Sequence, residues 1–405
     1  MSGTSATMPG RTAAFVAPVD AKAGLGTRIG SIDALRGFVM LLMLLDHTRE
    51  TFLLYANVGD PVNANIVDPV LFFTRLTSTI CAPTFVALTG LSAYLYGLKH
   101  SKREVSWFLF SRGLFLMVLE LTVVAYAWPT QPLGYPPPLL SLQVIWAIGV
   151  TMIALAALIH LPRAAQIALG AAIVCLHNLF DTVILTPESP FYVIWAELHQ
   201  RSSFLFDEGR LTVRTSYPVL PWIGLILLGY VSGPMFGGTT MPADRIRRLR
   251  AVGVGLIVGF VVLRWLNVYG DAPWFQAETP LRTVMSFLAL TKYPPSLLFL
   301  MSTIGVGCLI LALFESRQDS RMTPYLACFG AAPMFFYIVH LYVLKIIYNL
   351  LYLAYGPTNG ALFGFAHIWM VWLAAALLCL AMYRPTRWFA ELKQSRRDIW
   401  WLKYL

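Results

Sequence analysis

The chain has 405 residues, of which 58% are hydrophobic and only 12% are charged, and its mean hydropathy is +0.66. Soluble domains carry about twice that charged fraction, so the composition excludes an ordinary soluble protein and indicates a helical protein that crosses a membrane many times. The net charge of +10 does not indicate nucleic acid as a partner, because the basic residues lie mainly in short loops on one side of the predicted membrane.

Apolar runs of about 20 residues, long enough to cross a bilayer, recur along the chain. They predict an all-α polytopic integral membrane protein with about ten transmembrane helices, at 32–55, 70–98, 105–128, 138–160, 164–186, 217–235, 249–269, 294–315, 325–353 and 364–383. Residues 1–28 lack the apolar run of a signal peptide, which predicts a disordered cytoplasmic tail. We expect residues 29–385 to form the membrane domain and residues 386–405 to form a basic cytoplasmic tail.

The charges of the loops predict the orientation of the spans. Lysine and arginine residues follow the second, sixth, eighth and tenth spans, whereas the loops 56–68, 129–137 and 354–363 contain neither residue type. Because positively charged loops stay on the cytoplasmic side, both termini are predicted to be cytoplasmic. An even number of spans agrees with this arrangement.

Two segments on the opposite side are longer than simple connections. Residues 187–216 mix aromatic and charged side chains and are either an interfacial amphipathic helix or a lid over a substrate, and the pattern favours the first. Residues 270–296 end in a diproline, Pro294-Pro295, which stops a helix. Lys292 is therefore predicted to lie near a broken helix end.

The first span opens with helix N-terminal residues and then carries a polar run. Ser31 is a suitable N-cap, Asp33 suits the first turn, and eight apolar residues follow Arg36. The span then reads Asp-His-Thr-Arg over residues 46–49. Polar side chains at this depth are costly, and they mark functional sites by default.

His47 is the leading candidate for chemistry. Arg36 lies eleven residues before it, so the two share a helix face about 16 Å apart along the axis. Asp46 points about 100° away from His47 and lies three residues from Arg49, with which it can pair. His47 is either part of a buried hydrogen-bond cluster or a general base or acyl acceptor. Four consecutive polar residues exceed what packing requires, which favours the functional interpretation.

Further ionisable groups lie in the second to fifth spans. Arg75 lies early in the second span, and Arg112 and Glu120 are eight residues apart on roughly one face of the third. Arg112 is explained equally well as a side chain that extends to the membrane surface. Gln143 opens the fourth span. In the fifth span His177 and Asp181 have i,i+4 spacing, which predicts a structural contact.

The ninth span supplies a second intramembrane histidine. Tyr337 and His340 are three residues apart and share a face, while Lys345 lies near the outer end of the span. Histidines in two separate helices, together with several arginines, indicate a polar cavity within the membrane. The five cysteines lie in apolar runs without metal-site spacing, and the sequence has no Gly-rich nucleotide loop, zinc motif or nucleophile elbow.

Five pieces of the sequence, in order, resemble one family. The run SIDALRGFVMLLMLLDH at 31–47 resembles the first-helix signature of bacterial relatives of heparan-alpha-glucosaminide N-acetyltransferase, within the transmembrane acyltransferase superfamily. PTFVALTG at 83–90, PWIG at 221–224 with LGY at 228–230, TKYPPS at 291–296 and PMFFYIVH at 333–340 resemble the same family. The likeness runs from about residue 28 to residue 385.

The resemblance implies acetyl-CoA as co-substrate, supplied from the cytoplasm, and an amino or hydroxyl group of a glycan-type acceptor on the far side. It implies a multi-pass protein of the bacterial inner (plasma) membrane. By position, Arg36 and His47 match the arginine and histidine of the family's first helix, and Lys292 and His340 match later polar positions. Eukaryotic members place their proposed catalytic histidine beyond the first helix, whereas the loop 56–68 has none. Either His47 takes that part or the chemistry differs.

On this basis we expect His47 and Asp46 to be catalytic. We expect the donor to be bound by Arg36, Arg112 and Gln143, and the acceptor to be held by Arg75, Lys292, Tyr337 and His340. No metal is expected. The predicted partners are membrane lipids, acetyl-CoA and a glycan or amine acceptor, with no nucleic acid, and a homodimer is an open option. The alternatives are a transporter or flippase with a polar pathway and a non-catalytic scaffold, and both N- and O-acetylation fit the sequence.

Overall fold

The computed structural model describes residues 30–56, 58–128, 138–238, 240–396, 398–399 and 402. The predicted N-terminal tail and the loop 129–137 lie outside the described residues. The helices are α1 Gly30–Phe52, α2 Pro69–Ser78, α3 Cys81–Gly97, α4 Lys102–Leu119, α5 Val144–Leu158, α6 Arg163–Leu176, α7 Tyr192–Leu198, α8 Leu220–Val231, α9 Pro242–Leu266, α10 Pro280–Leu288, α11 Leu297–Ser316, α12 Met322–Ala331, α13 Pro333–Tyr355 and α14 Ile368–Ser395.

Several helical segments are long and apolar enough to cross a membrane. By length and composition, seven such segments occur in the described residues: Pro69–Gly97, Lys102–Val124, Arg163–Phe180, Pro242–Leu266, Leu297–Ser316, Pro333–Tyr355 and Ile368–Ser395. Two further apolar helices, Val144–Leu158 and Leu220–Val231, are shorter. The chain is therefore a mostly helical, multi-pass membrane protein, as the composition predicts.

Seven of the ten predicted spans correspond to these segments, whereas 32–55, 138–160 and 217–235 do not meet the length and composition of a span in the described residues. Two predicted spans are also interrupted. The span 138–160 begins with a strand, β1 Leu139–Leu142, and becomes helical only at Val144. The span 325–353 is interrupted at Ala332, which has φ −133° and ψ 58° between α12 and α13. Pro333 explains this break, because the proline ring disfavours helical geometry at the residue before it.

The segment 187–216 is not the interfacial helix that the sequence favours. The helical parts are α7 and a 3₁₀ turn at Asp207–Gly209, and the segment also contains strands β2 Ser203–Phe206 and β3 Leu211–Thr215. In the described residues β3 lies at the centre of a three-stranded sheet, parallel to β1 and antiparallel to β2. Aromatic and β-branched residues in these short runs suit a pleated, half-buried surface, which explains the strands.

Helix α1 lies in the interior of the molecule, packed against α2, α3, α11, α12, α13 and α14. The backbones of α1 and α12 are in close contact where the two helices cross. A Cβ atom added to Gly37 would lie only 1.8 Å from the carbonyl oxygen of Leu326, and one added to Gly330 would lie 2.0 Å from the carbonyl oxygen of Asp33. Small residues at helix crossings allow this close approach in membranes. The crossing fixes the helix that carries Arg36 and His47.

Candidate active site

Helix α1 presents one stripe of side chains to a cavity of about 810 Å³. The spacing of the stripe alternates between four and three residues, which is the repeat of one helix face. Its members are Arg36, Met40, Met43, His47 and Glu50, and Leu54, just beyond the helix, continues it. The prediction that Arg36 and His47 share a face is confirmed, and both side chains line the same cavity.

The cavity follows α1, and each of its two ends is lined by basic side chains. One end, here the Arg36 end, is lined by Arg36, Tyr96, Arg112 and Lys393. The other, here the Arg201 end, is lined by Asp60, Arg75, Lys292, Arg201, Arg214, Tyr217 and Tyr293. His47 lies between the two ends. The side chains of the cavity are therefore basic at both ends, with the imidazole in the middle.

His47 is hydrogen-bonded to the second intramembrane histidine. The Nδ1 atom of His47 lies 2.8 Å from Nε2 of His340, and the two rings are nearly parallel, with an interplanar angle of 11°. His340 is fully buried, and its Nδ1 lies 2.7 Å from the Phe336 carbonyl oxygen. The aromatic rings of Trp128 and Tyr337 contact His47 edge-on.

The backbone carbonyl fixes the protonation pattern of this pair. A carbonyl oxygen only accepts, so Nδ1 of a neutral His340 must carry a proton and donate it. Nε2 of His340 then accepts from Nδ1–H of His47. The remaining nitrogen of His47, Nε2, is left with a free lone pair, which is the state required of a base or a nucleophile.

Asp46 contacts Arg49 rather than His47. Its Oδ1 atom lies 3.0 Å from the guanidinium of Arg49, which also lies 3.2 Å from the carboxylate of Glu50. The pairing of Asp46 with Arg49 is therefore confirmed, and the hydrogen-bond partner of His47 is His340. Adjacent residues of a helix point about 100° apart, which explains why Asp46 does not reach the neighbouring imidazole.

At the Arg36 end lie two of the three predicted donor-binding residues, Arg36 and Arg112. Arg36 donates to Asp33 at 2.6 Å, to the Gly330 carbonyl at 3.3 Å and to Ser92 at 3.3 Å, so it joins α1, α12 and α3. The guanidinium of Arg112 lies over the ring of Phe108, 5.8 Å from its centre. Gln143 also lines the cavity, but it directly follows β1, whose Ser141 is in register with Arg214, so it lies toward the Arg201 end and not with Arg36 and Arg112.

The predicted shared face of Arg112 and Glu120 is not observed. Arg112 lines the cavity, whereas Glu120 is buried elsewhere and accepts a hydrogen bond from the backbone N–H of Trp146 at 3.2 Å. Glu120 opens a π-helical turn that ends at Val124. Eight residues advance a helix by about 80° beyond two full turns, and this offset directs the carboxylate to α5.

At the Arg201 end, Asp60 organises the loop that carries Lys292. Its carboxylate accepts from the backbone N–H groups of Lys292 and Tyr293, at 3.1 and 2.9 Å, and from Arg75 at 3.3 Å. Burial raises the pKa of the Asp60 carboxyl, against the opposing effects of Arg75 and the backbone donors. Arg75 therefore supports this loop through Asp60.

Lys292 is a buried cation that faces aromatic rings. Only 9% of the residue is exposed. The ammonium lies 5.2 Å from the ring centre of Tyr293 and 5.9 Å from that of Tyr217. Such cation–π contacts stabilise a charge that has lost its water.

The sequence did not single out Asp60, Trp128, Arg214 or Tyr217, all of which line the cavity. Asp60 and Trp128 lie in connections whose sequence carries no periodicity. Arg214 and Tyr217 lie in or beside β3, a strand in a region assigned to a membrane interface. A signal for Arg214 existed in the alternation of the run LTVRT.

The contact predicted between His177 and Asp181 does not form. His177 Nε2 lies 2.9 Å from the Pro295 carbonyl oxygen, and the carboxylate of Asp181 instead lies 3.3 Å from His199. The helix tightens to 3₁₀ geometry over His177–Phe180, and this removes the i,i+4 neighbour relation. Lys345 donates to the Tyr126 carbonyl at 2.6 Å and lines a separate, smaller cavity.

The fold and the site define a class of protein: a multi-pass helical membrane protein with a polar cavity that is lined by several cations and by one histidine of a hydrogen-bonded pair. Residues 28–265 match the family described as heparan-alpha-glucosaminide N-acetyltransferase, catalytic. The match covers more than half of the chain, so the chain belongs to this family of membrane acetyltransferases, as predicted, and the first three of the five sequence pieces lie within the matched residues. A comparison with curated proteins gives no match. Arg36 and His47 lie within the matched residues, and Lys292 and His340 lie beyond them.

Proposed function

We propose that the protein transfers the acetyl group of acetyl-CoA to an amino or hydroxyl group of a glycan-type acceptor, with His47 at the point of transfer. The observation that carries this proposal is the hydrogen-bond chain from Phe336 through His340 to His47, which leaves Nε2 of His47 unprotonated beside the cavity. The membership of an acetyltransferase family supports the reaction type.

The donor enters from the Arg36 end. Coenzyme A carries phosphates, and phosphates are bound by guanidinium and ammonium groups through charge-assisted hydrogen bonds. Arg36, Arg112 and Lys393 supply such groups at this end. The distance of about 16 Å along α1 to His47 is lined by Met40 and Met43, which give the pantetheine arm an apolar path.

The transfer needs one base and one leaving group. The acceptor N–H or O–H gives its proton to Nε2 of His47 as its nitrogen or oxygen attacks the thioester carbonyl. The C–S bond then breaks, and the thiolate of CoA takes the proton from the imidazolium, which restores neutral His47. In a two-step variant, His47 attacks first and the acetyl group moves on from acetyl-histidine to the acceptor.

The surrounding residues have assigned parts in this scheme. The imidazolium form of His47 is stabilised by its hydrogen bond to His340. Lys292 and Tyr337 stabilise the oxyanion or hold the acceptor. Asp46 acts on the local field through its pair with Arg49, and Arg75 supports the loop that carries Lys292. Gln143 lies beside β1 and is not placed with the cations that bind the phosphates.

The orientation follows from the loop charges. We propose that the Arg36 end faces the cytoplasm and the Arg201 end faces the opposite side of a bacterial inner membrane, with the termini of the 29–385 membrane domain cytoplasmic. Pairing of two copies into a homodimer is compatible with the long apolar outer faces.

A reconstituted assay tests the proposal. Purified protein in liposomes receives acetyl-CoA labelled in the acetyl group, with glucosamine as acceptor probe. The proposal predicts release of free CoA and label on the sugar. Movement of sugar or acetyl-CoA across the membrane without release of CoA would instead establish the transporter alternative.

A further inference from the structure

Three cations at the Arg201 end of the cavity lack a carboxylate partner. Lys292, Arg201 and Arg214 line this end, and no carboxylate of the described residues lies within ion-pair distance of any of them. The carboxylates that do line the cavity are already engaged. Asp46 and Glu50 contact Arg49, and Asp60 contacts Arg75 and two backbone N–H groups.

Two of these cations share one aromatic ring. The guanidinium of Arg201 lies 5.1 Å from the centre of the Tyr293 ring, and the ammonium of Lys292 lies 5.2 Å from it. Both positive charges therefore lie around the same ring, and neither has a carboxylate of the described residues within ion-pair distance. An anion bound at this end of the cavity would be attracted by both charges, so the arrangement is suited to a negatively charged ligand.

Arg214 extends the same site from the sheet. It lies on the central strand β3, opposite Ser141 of β1 and Ser203 of β2. Residues in register on neighbouring strands project from the same face, so two hydroxyl groups flank the guanidinium, and Arg214 Nε lies 3.4 Å from Ser203 Oγ. Ser141 also lines the cavity. Guanidinium and hydroxyl donors together match the oxygen atoms of a phosphate or carboxylate.

We propose that the acceptor of this enzyme carries a negatively charged group, a phosphate or a carboxylate, and that Arg201, Arg214 and Lys292 bind it. This inference rests on the proposed function, since it names the substrate class of the same cavity. The hydroxyl-bearing rings of Tyr217 and Tyr293, whose oxygens lie 3.1 Å apart, supply an aromatic wall for the sugar. The charged group thereby anchors the acceptor while its amino or hydroxyl group reaches His47.

Three acceptor probes test the proposal and separate the two sources of charge. Glucosamine is neutral apart from its amine, glucosamine 1-phosphate adds a phosphate, and glucosamine linked to glucuronic acid adds a carboxylate. For the wild type we expect kcat/KM for one charged acceptor to exceed that for glucosamine at least tenfold, and the better of the two identifies the group. Equal kcat/KM values for all three acceptors overturn the proposal but leave the acetyl transfer itself established.

Matched arginine variants assign the preference to this site. In Arg201→Gln and in Arg214→Gln we expect the ratio of kcat/KM for charged over neutral acceptor to fall about tenfold each, because each removes a charged hydrogen-bond donor. Arg210→Gln is the control: Arg210 belongs to the same hairpin, has a side chain 79% exposed and does not line the cavity. A ratio that is unchanged in Arg201→Gln and Arg214→Gln, or that falls equally in Arg210→Gln, contradicts the proposal.

A binding measurement decides the case in which no probe is acetylated. Inorganic pyrophosphate is titrated into the purified full chain, with CoA present at saturation so that the Arg36 end is occupied, and thermal stability is recorded. The proposal predicts stabilisation that Arg201→Gln and Arg214→Gln reduce and Arg210→Gln retains. The anion site is contradicted if pyrophosphate does not stabilise the wild type, or if it stabilises Arg201→Gln and Arg214→Gln as much as the wild type. Failure of acetyl transfer alone contradicts only the proposed function.

Discussion

The protein contains two pairs of histidines that differ in access. His47 and His340 are joined by a 2.8 Å hydrogen bond, and His47 lines the central cavity. His177 and His199 are also buried, with ring centres 5.7 Å apart, but neither lines that cavity. His177 instead lies 2.9 Å from the carbonyl of Pro295, and its Nδ1 is buried without a hydrogen-bond partner among the described residues.

The two pairs differ in their contacts and in their access to the cavity. In the first pair, a backbone carbonyl sets the tautomer, and His47 lines the cavity. In the second pair, the contact with Pro295 holds the loop before α11 against the end of α6, and the cavity does not reach the rings. Under the proposed function, access to the cavity is what distinguishes the catalytic pair from the structural pair.

Removal of the cavity imidazole is the strongest test of this contrast. We expect His47→Ala to lower acetyl transfer by about 10³-fold, since general base catalysis contributes factors of this order. The measurement is release of CoA from liposomes containing the variant. His177→Ala is the matched control, because it deletes the same side chain from the other pair. Similar losses in both variants would show that the contrast is wrong.

Removal of the supporting imidazole has a smaller expected effect. His340→Ala deletes the acceptor of His47 Nδ1–H and should lower kcat by about 10²-fold, with the KM for acetyl-CoA unchanged. In His340→Gln the amide oxygen can accept the same hydrogen bond, so most of the activity should return. If His340→Gln and His340→Ala lower kcat to the same extent, a positioning role for His340 is refuted.

The Arg36 end should affect binding more than turnover. We expect Arg36→Gln to raise the KM for acetyl-CoA about tenfold, because one charge-assisted contact to a phosphate is lost. Steady-state kinetics on the purified variant measures this, and kcat should change by less than about threefold. Arg103→Gln is the control, since Arg103 is an exposed residue at the start of α4 outside the cavity lining. An unchanged KM would remove Arg36 from the donor site.

The region of the second histidine pair should control stability through pH. Glu197, in α7, accepts from Trp146 Nε1 at 2.6 Å, and burial raises the pKa of its carboxyl to about 7. The folded state thus binds a proton more tightly than the unfolded state, so stability is greatest below about pH 4.3 and falls as the pH rises through 7. We expect Tm to fall over this range, and Glu197→Gln to flatten the profile. Identical profiles for the two proteins would exclude Glu197 as the cause.

The smallest effect on catalysis is expected for His177→Ala. The variant leaves the Pro295 carbonyl without its donor, which costs about 1–3 kcal/mol, so Tm should fall by a few degrees. Turnover should stay within about twofold of the wild type, because no group of the cavity is removed. A loss of activity at preserved Tm would instead assign a catalytic role to the second pair.

The first helix could be predicted from the sequence because its geometry is local. The spacing between Arg36 and His47 fixes their common face wherever the helix packs, and Asp46 and Arg49 pair within one turn. The helix break before Pro333 is also a local effect, but the continuous apolar run around it predicted a single span. Likewise, apolar composition predicts membrane helices, and the observed segments follow those runs.

The contacts that complete the site could not be predicted in this way. His340 reaches His47 from α13, 293 residues further along the chain, and only tertiary packing determines that approach. Asp60 and Arg214 act through a loop and a strand whose sequences carry weak local signals. The i,i+4 spacing of His177 and Asp181 predicted a contact that the 3₁₀ turn prevents, so local spacing alone was misleading there.

A structure with a non-hydrolysable acetyl-CoA analogue tests the central claim most directly. The account predicts the phosphates at Arg36 and Arg112 and the acetyl carbon within contact distance of Nε2 of His47. An analogue bound with its acetyl group outside the cavity, or with His47 Nε2 turned away from it, would contradict the account.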